Sequence, residues 1–580
     1  MLVLKGIAAS PGIAIGRAVV LAGEDFPATN QYVPAERVPQ ELEKFERAKQ
    51  KTIQDLDVAE EKVRITLGAE YANMISTHKL ILQDPALTDA VSKKIKETQL
   101  SAVSAISSSV KELAASFEQI DDPFFRERRS DIFDVGKRLL GNLEDKKDEM
   151  LAGVASSSLL IAHDLFPSDT IRLQDHHVLG FCTDLGGKTS HTAILAQSLN
   201  IPAVVGLSTA SKDVQNGDTV IVDGENGLLV IRPDRYTLSN YRKIQREIKK
   251  TDSLLKTIND LPVVTRDGRQ IKLYVNFDPR TDTKESKRLI SDGLGLLRTE
   301  FLFMNTPIAP SEEVQYQVYL SVAKKFDMRP VTIRLADLGA DKMPDFSLDE
   351  IAEDDNPFMG CRGVRLLLKH PELLRTQLRA IIRTACEVPA QIKILIPMVS
   401  SVEEVRHVRQ AFTEVLGEFL QAGRTPKNKI ALGAMIEVPA AAIALEGMID
   451  DLDFLSIGTN DLIQYLVAVD RINPEVAHMY DPCHPAVGRT ISAIIQTAHQ
   501  RGKRVTTCGE MAADLRMIPL LLGWEIDGLS VTPRMYLRVK NHIRKLYFDT
   551  CSDLAQAALL MGSSEEIRNL TEQNNQHEDS

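Results

Sequence analysis

KLYVNF (272–277), GLGLL (293–297), VTIRL (331–335), KILIPM (393–398), ALGAMI (431–436), DFLSIG (453–458), RVTTC (504–508) and DGLSV (527–531) are eight short apolar runs in the C-terminal half of the chain. Helical stretches separate them. Runs this short and β-branched, buried on both faces, read as parallel strands. Eight strands alternating with helices predict a closed (β/α)₈ barrel of the TIM type, over residues 262–571. The long interval between the third and fourth runs predicts an insertion there.

Working back from the barrel, RYTLSNYRKIQREIKKTDSLLK (235–256) is a charged helical connector within a linker at 233–261. Before it, LLIAH (159–163), VLGFCTD (178–184), PAVVGL (202–207) and TVIVDGENGLLVI (219–231) return to strand texture, as does KGIAASPGIAIGRAVVL at the start. Between these two parts, residues 31–144 are poor in glycine. Leu42, Phe45, Ile53 and Leu56 recur there at helical spacing. The economical reading is an α/β domain of residues 1–30 and 145–232, interrupted by a helical bundle. A polar segment, 572–580, is expected to be a disordered tail.

Hydrophobic residues make up 43% of the 580 and charged residues 26%, which suits several packed cores. Lys and Arg number 69 against 80 Asp and Glu, a formal charge of −11. A polyanion such as nucleic acid gains nothing from that surface. No apolar run reaches the ~18 residues of a membrane span, and MLVLKGIAASPGIAIG lacks the basic and apolar regions of a signal peptide. The six cysteines show no metal spacing and read as reduced thiols of a cytoplasmic protein.

Two places carry chemistry. In DLGGKTSHTAILAQSLNIPAVVG (184–206), Gly186 and Gly187 make a turn. Thr189 or Ser190 can cap a helix, and His191 falls in its first turn. Unpaired N–H groups there favour an anion, so a neutral imidazole could take a phosphoryl group from a phosphate donor. The plain alternative is a histidine that caps a helix at the surface. The second place is the C-terminal end of the barrel strands, where such barrels carry their active sites. Arg298 and Glu300, Arg334 and Asp337, Glu437, Asn460 and Asp461, and Cys508 all follow strands, with Arg471 slightly downstream. Glu437 and Asp461 can converge on Mg²⁺. Arg298 and Arg334 can fork onto phosphate and Arg471 onto a carboxylate. Taken singly, each arginine could be a rim salt bridge, each carboxylate a cap, and Cys508 a buried inert thiol.

Read together, these segments resemble enzyme I of the bacterial phosphoenolpyruvate:sugar phosphotransferase system, the phosphoenolpyruvate–protein phosphotransferases. The likeness spans essentially the whole chain. It is carried by GGKTSHTAILAQSLNIPAVVG, GLGLLRTEFLFM, RLADLGADK, NPFMGCRGVR, GAMIEVPAAA, FLSIGTNDLIQYLVAVDR and CGEMA. The resemblance implies that His191 is the phosphorylated histidine, with Thr170 as its neighbour. It implies that Arg298 and Arg334 hold the phosphate, Asn460 and Arg471 grip the carboxylate end, and Glu437 and Asp461 bind Mg²⁺. Cys508 then protonates the enolate carbon as pyruvate forms, which suits a thiol of ordinary pKa, about 8.5.

By the same resemblance the helical bundle docks HPr, the phosphocarrier that receives the group in the first step of sugar uptake, and the chain forms a homodimer through its barrel. The expected fold is a phosphohistidine α/β domain with an inserted helical bundle, then a (β/α)₈ barrel. A large swing would carry His191 between substrate and partner. Lys188 stands where arginine is usual, and Cys361 where tryptophan is usual; neither is a reacting group. Three rivals are weaker. A dikinase would need a nucleotide domain and this chain has no P-loop. A catalytically weak regulatory HPr-binding protein would have no use for His191, Glu437, Asp461 and Cys508. A barrel enzyme acting on phosphoenolpyruvate alone would leave the first 250 residues idle.

Overall fold

A computed structural model describes residues 1–21, 30–66, 69–118, 123–144, 158–165, 178–186, 192, 196, 201–277, 289–304, 306, 308–339, 356–471, 473 and 475–578. The chain divides into two units, Met1–Thr251 and Asp252–Ser580. The division falls inside the helix Arg235–Thr257 that the charged connector forms.

In the first unit, β1 (Leu2–Lys5), β2 (Ile7–Ser10), β3 (Ile13–Val20), β4 (Ser158–Ala162), β5 (Gly180–Thr183), β6 (Ala203–Val205), β7 (Thr219–Asp223) and β8 (Leu228–Ile231) make one sheet. Its order is β1-β8-β7-β3-β4-β5-β6-β2. Its inner strands are buried on both faces while edge strand β1 is exposed, and the two-residue period sorts the side chains. Leu159 and Ile161 join Val204 and Val222 on one side, while Leu160 and Ala162 join Phe181 and Val205 on the other.

The helical texture becomes α1 (Val38–Thr66), α2 (Ala69–Gln83), α3 (Pro85–Thr98), α4 (Ala102–Glu118) and α5 (Pro123–Leu143). Asp84 starts α3 by accepting the Ala86 N–H at 2.8 Å, with Pro85 at the first helical position, where its missing N–H costs nothing. Phe45, Leu56, Ile75, Leu82, Val91 and Ile106 fill the bundle core. Each contributes about 1.5–3 kcal/mol by burial. Among the polar groups buried in this bundle are His78 and Asp134. His78 lies 3.1 Å from Asp131 and 3.3 Å from Asp134. Burial disfavours its charge, yet the two carboxylates hold its pKa above the usual imidazole value.

In the second unit all eight runs are strands: β9 (Lys272–Phe277), β10 (Leu294–Leu297), β11 (Pro330–Arg334), β12 (Gln391–Ile396), β13 (Ala431–Ile436), β14 (Phe454–Gly458), β15 (Arg504–Cys508) and β16 (Gly528–Val531). They are parallel and close in sequence order, with β16 returning to β9. Leu432, Ala434 and Ile436 face outward onto helices, while Leu296, Leu395, Met435, Phe454 and Cys508 pack together inside. Helix Val402–Gln421 begins with a capping box between Ser401 and Glu404 and lays Val405, Val408, Phe412 and Val415 on the barrel.

The C-terminal tail departs from expectation. Residues up to Glu578 continue a helix, Ser564–Glu578, instead of a disordered segment. Ser563 and Glu566 cap its start reciprocally, through Glu566 N–H to Ser563 Oγ at 3.3 Å and Ser563 N–H to Glu566 Oε2 at 3.0 Å. Ile567 is buried and Arg568 pairs with Asp481 at 2.6 Å. Polar composition hid the anchor, to which Leu570, packed against the barrel core, and buried Thr571 also contribute. No described helix is long and apolar enough to cross a membrane.

Candidate active site at the barrel rim

The strand ends place the rim residues. Arg334 ends β11 and is buried, with Nη2 2.9 Å from Glu300 Oε1 and 3.6 Å from Asp337. Glu300 also accepts the Asp337 N–H at 3.0 Å, which ties the ends of β10 and β11 together. Burial opposes the charge on Arg334, but Glu300, Asp337, Glu437 and Asp461 outweigh it and push the pKa up. Its Nε is buried without a hydrogen-bond partner among the described residues. Arg298 follows β10, exposed, and its charge acts on the Cys508 thiol.

Glu437 follows β13 and is 1% exposed. Its Oε1 accepts the Met398 N–H at 2.7 Å. Met398 takes φ +56° to present that N–H, a left-handed conformation uncommon outside glycine. Gly458 leaves room for the carboxylate, since a Cβ there would stand 2.4 Å from Glu437 Oε2. Burial, then the neighbouring Asp461, push the Glu437 pKa from 4.5 up to about 8, against the pull of Arg334. Asp461 lies in the first turn of helix Thr459–Val467.

Asn460 precedes it, and its Oδ1 accepts the Glu510 N–H at 2.8 Å, which leaves its amide N–H groups for a ligand. Gly509 takes φ +98° beside Asn460 and Thr459, where a side chain would collide with both. Arg471 is half-buried, and its Nη1 is buried without a hydrogen-bond partner among the described residues.

Cys508 closes β15 and is 2% exposed. Its Sγ lies 3.6 Å from the Ile457 carbonyl and 3.6 Å from Ser456 Oγ. An ordinary thiol pKa was expected, and the structure corrects this. Burial raises it, and Glu437 adds to the rise, against Ser456, Arg334 and Arg298. The thiol therefore keeps its proton more firmly than a free cysteine.

The strand-end reading missed Arg362 as a site residue. It grips Asp337 with two nitrogens, at 2.8 and 3.3 Å, and reaches Asp461 at 3.4 Å. Its Nη1 also donates to the Tyr465 hydroxyl at 3.2 Å, and that hydroxyl donates to the Phe358 carbonyl. Arg362 comes from the long connection between β11 and β12, so strand-end counting could not find it. The one available signal was an arginine between small residues in GCRG.

His191, Thr170 and Lys188 lie outside the described residues. Beside His191, Thr192 is helical and buried, and its hydroxyl donates to the Leu165 carbonyl at 3.1 Å. Cys361 is half-buried against the barrel core.

No group of three or more metal-ligating side chains occurs among the described residues. Glu437 and Asp461 nevertheless suit a hard divalent cation. Two hard oxygen donors converge, and burial together with the charge of Asp461 raises the Glu437 pKa to about 8, a cost that a cation between them would relieve. Mg²⁺ usually takes one or two carboxylates and completes its shell with substrate and water.

Comparison with known proteins agrees with this architecture. Residues 5–128 match the N-terminal domain of PEP-utilising enzymes, 154–227 their mobile domain and 252–548 their PEP-binding domain. A phosphoenolpyruvate-protein phosphotransferase of Listeria monocytogenes is 36% identical over 569 residues, covering 98% of both chains. That of Haemophilus influenzae is 35% identical over 570 residues, again 98% of both. That of Bacillus subtilis is 36% identical over 565 residues, 97% of this chain and 98% of the relative.

Proposed function

This chain belongs to the PEP-utilising enzymes as a phosphoenolpyruvate-protein phosphotransferase, and we propose that it moves the phosphoryl group of phosphoenolpyruvate onto His191 and then to HPr. The observation that carries the residue assignment is the convergence at one rim of Arg334, Glu437, Asp461 and Cys508, each acting electrostatically on others of the set.

Arg298 and Arg334 hold the phosphoryl oxygens, and Asn460 and Arg471 hold the carboxylate. The unpartnered Nε of Arg334 and Nη1 of Arg471 suit those tasks, since buried donors seldom remain unsatisfied. Arg362 fixes Asp337 and Asp461 in place. Glu437 and Asp461 would hold Mg²⁺, which would neutralise charge on the bridging and phosphoryl oxygens.

An imidazole nitrogen of His191 attacks phosphorus as the bond to the enolate oxygen breaks. The transition state is loose, so alignment and charge neutralisation do most of the catalysis. The enolate carbon takes the Cys508 proton, giving pyruvate. The helical bundle receives HPr, the barrel forms the homodimer, and the reaction runs in the cytoplasm as the first step of sugar uptake. Incubation with labelled phosphoenolpyruvate and Mg²⁺ tests the reading. An acid-labile, base-stable label on His191 that passes to HPr is expected; label on another residue, or none, would overturn it.

A further inference from the structure

The opposite end of the barrel carries charge that the reaction does not use. Lys393 on β12 shares the inward parity of Leu395, so it points into the lumen near the N-terminal mouth. Its Nζ sits over the Phe454 ring, 4.8 Å from the centroid. Phe454 opens β14 and pairs in register with Arg504, which opens β15. Lys393 thus lies over the ring of a residue whose strand neighbour is Arg504, an exposed side chain of the same inward parity as Cys508. Gly433 makes this possible, because a Cβ there would collide with the Phe454 ring at 2.6 Å.

Neither cation has an ion-pair partner among the described residues, and the nearby carboxylates are engaged. Asp292 pairs with Lys272 at 2.8 Å and accepts the Leu273 N–H. Asp527 pairs with His499 at 3.0 Å and accepts the Val505 N–H. Burial and the like charge of Arg504 both lower the Lys393 pKa. Tyr274 lines the same mouth from β9, close enough for Arg504 to act on its hydroxyl. Lys393 is part-buried and Arg504 exposed, and Arg504 repels the Lys393 charge; a bound anion would relieve that repulsion.

We infer that the N-terminal mouth of the barrel is a second anion site, in which Lys393 and Arg504 hold a small phosphate or phosphate ester beside the Phe454 ring. The Arg504 fork suits two phosphate oxygens and Lys393 supplies a point charge. The site lies at the end of the strands away from Arg334 and Cys508, so it is separate from the substrate site.

The test is protection of Lys393 from amine acylation in the full-length protein, read by peptide mass spectrometry. The probe is inorganic phosphate, added against chloride at matched ionic strength, with exposed Lys243 of the helix Arg235–Thr257 as internal reference. Expected is a saturable slowing at Lys393 and none at Lys243, retained in Arg298→Leu. In Arg504→Leu the half-protecting concentration should rise by about tenfold or more, the loss of one charge-assisted contact. Arg504→Lys should stay much closer to wild type. Self-phosphorylation from phosphoenolpyruvate should persist in both Arg504 variants, which shows that they fold. Equal slowing at Lys243, no saturation, or protection indifferent to Arg504→Leu would overturn the proposal.

Discussion

Replacing Glu437 by glutamine should stabilise the metal-free barrel while abolishing self-phosphorylation. Folding takes Glu437 out of water beside Asp461, and its pKa rises from 4.5 to about 8. A raised carboxyl binds a proton on folding between those two values, so stability is full below about 4.5 and falls as pH climbs to about 8. At about 1.4 kcal/mol per tenfold, the loss is roughly 3 kcal/mol by pH 7 and roughly 5 kcal/mol above pH 8, as upper figures.

Glutamine carries no charge to bury and keeps an oxygen for the Met398 N–H, so Glu437→Gln escapes this cost. Trp524, the sole tryptophan, is buried in the second unit, and its fluorescence reports barrel unfolding in urea. With chelator present, the wild type should lose stability between pH 5 and 8 while Glu437→Gln loses much less. The variant should be the more stable of the two at pH 8. A wild-type curve flat over that range, or a variant less stable at pH 8, would refute the raised pKa assigned to Glu437.

Arg362→Met should cost about 3–5 kcal/mol at pH 8, because Asp337 and Asp461 lose a buried counter-charge. The cost should shrink at pH 5, where the orphaned carboxylates can protonate, and denaturation at the two pH values checks this. His191→Ala should abolish the acid-labile label yet leave phosphoenolpyruvate affinity, measured by calorimetry with Mg²⁺, within about threefold, a free-energy change below ~1 kcal/mol. Cys508→Ser should keep binding and part of the transfer but lose facial selectivity at the pyruvate methyl in deuterated water. Unchanged selectivity would remove the thiol from the mechanism.

The barrel was legible because each strand is a contiguous apolar run, and burial on both faces writes itself into local sequence. Glu437, Asp461 and Cys508 were legible for a related reason. In such a barrel the residue that ends a strand is at the rim, so counting strands locates it. The same rule could not reach Arg362, which arrives from a connection and is recruited only because Asp337 and Asp461 face it. Nor could it foresee that Met398 turns left-handed to hold Glu437, or that Cys508 lies deep enough to raise its pKa.

The helix at Ser564–Glu578 was hidden by polar composition, since Ile567 and the Arg568–Asp481 pair are among its anchors. Strand identity, helix starts and residue types at strand ends are local properties, set within a few residues by burial and capping. Charge state, conformational strain and the seating of Lys393 over Phe454 depend on register between segments distant in sequence. Those only the closed barrel decides, because electrostatic energy depends on distance and solvent exclusion, and neither exists until the strands close.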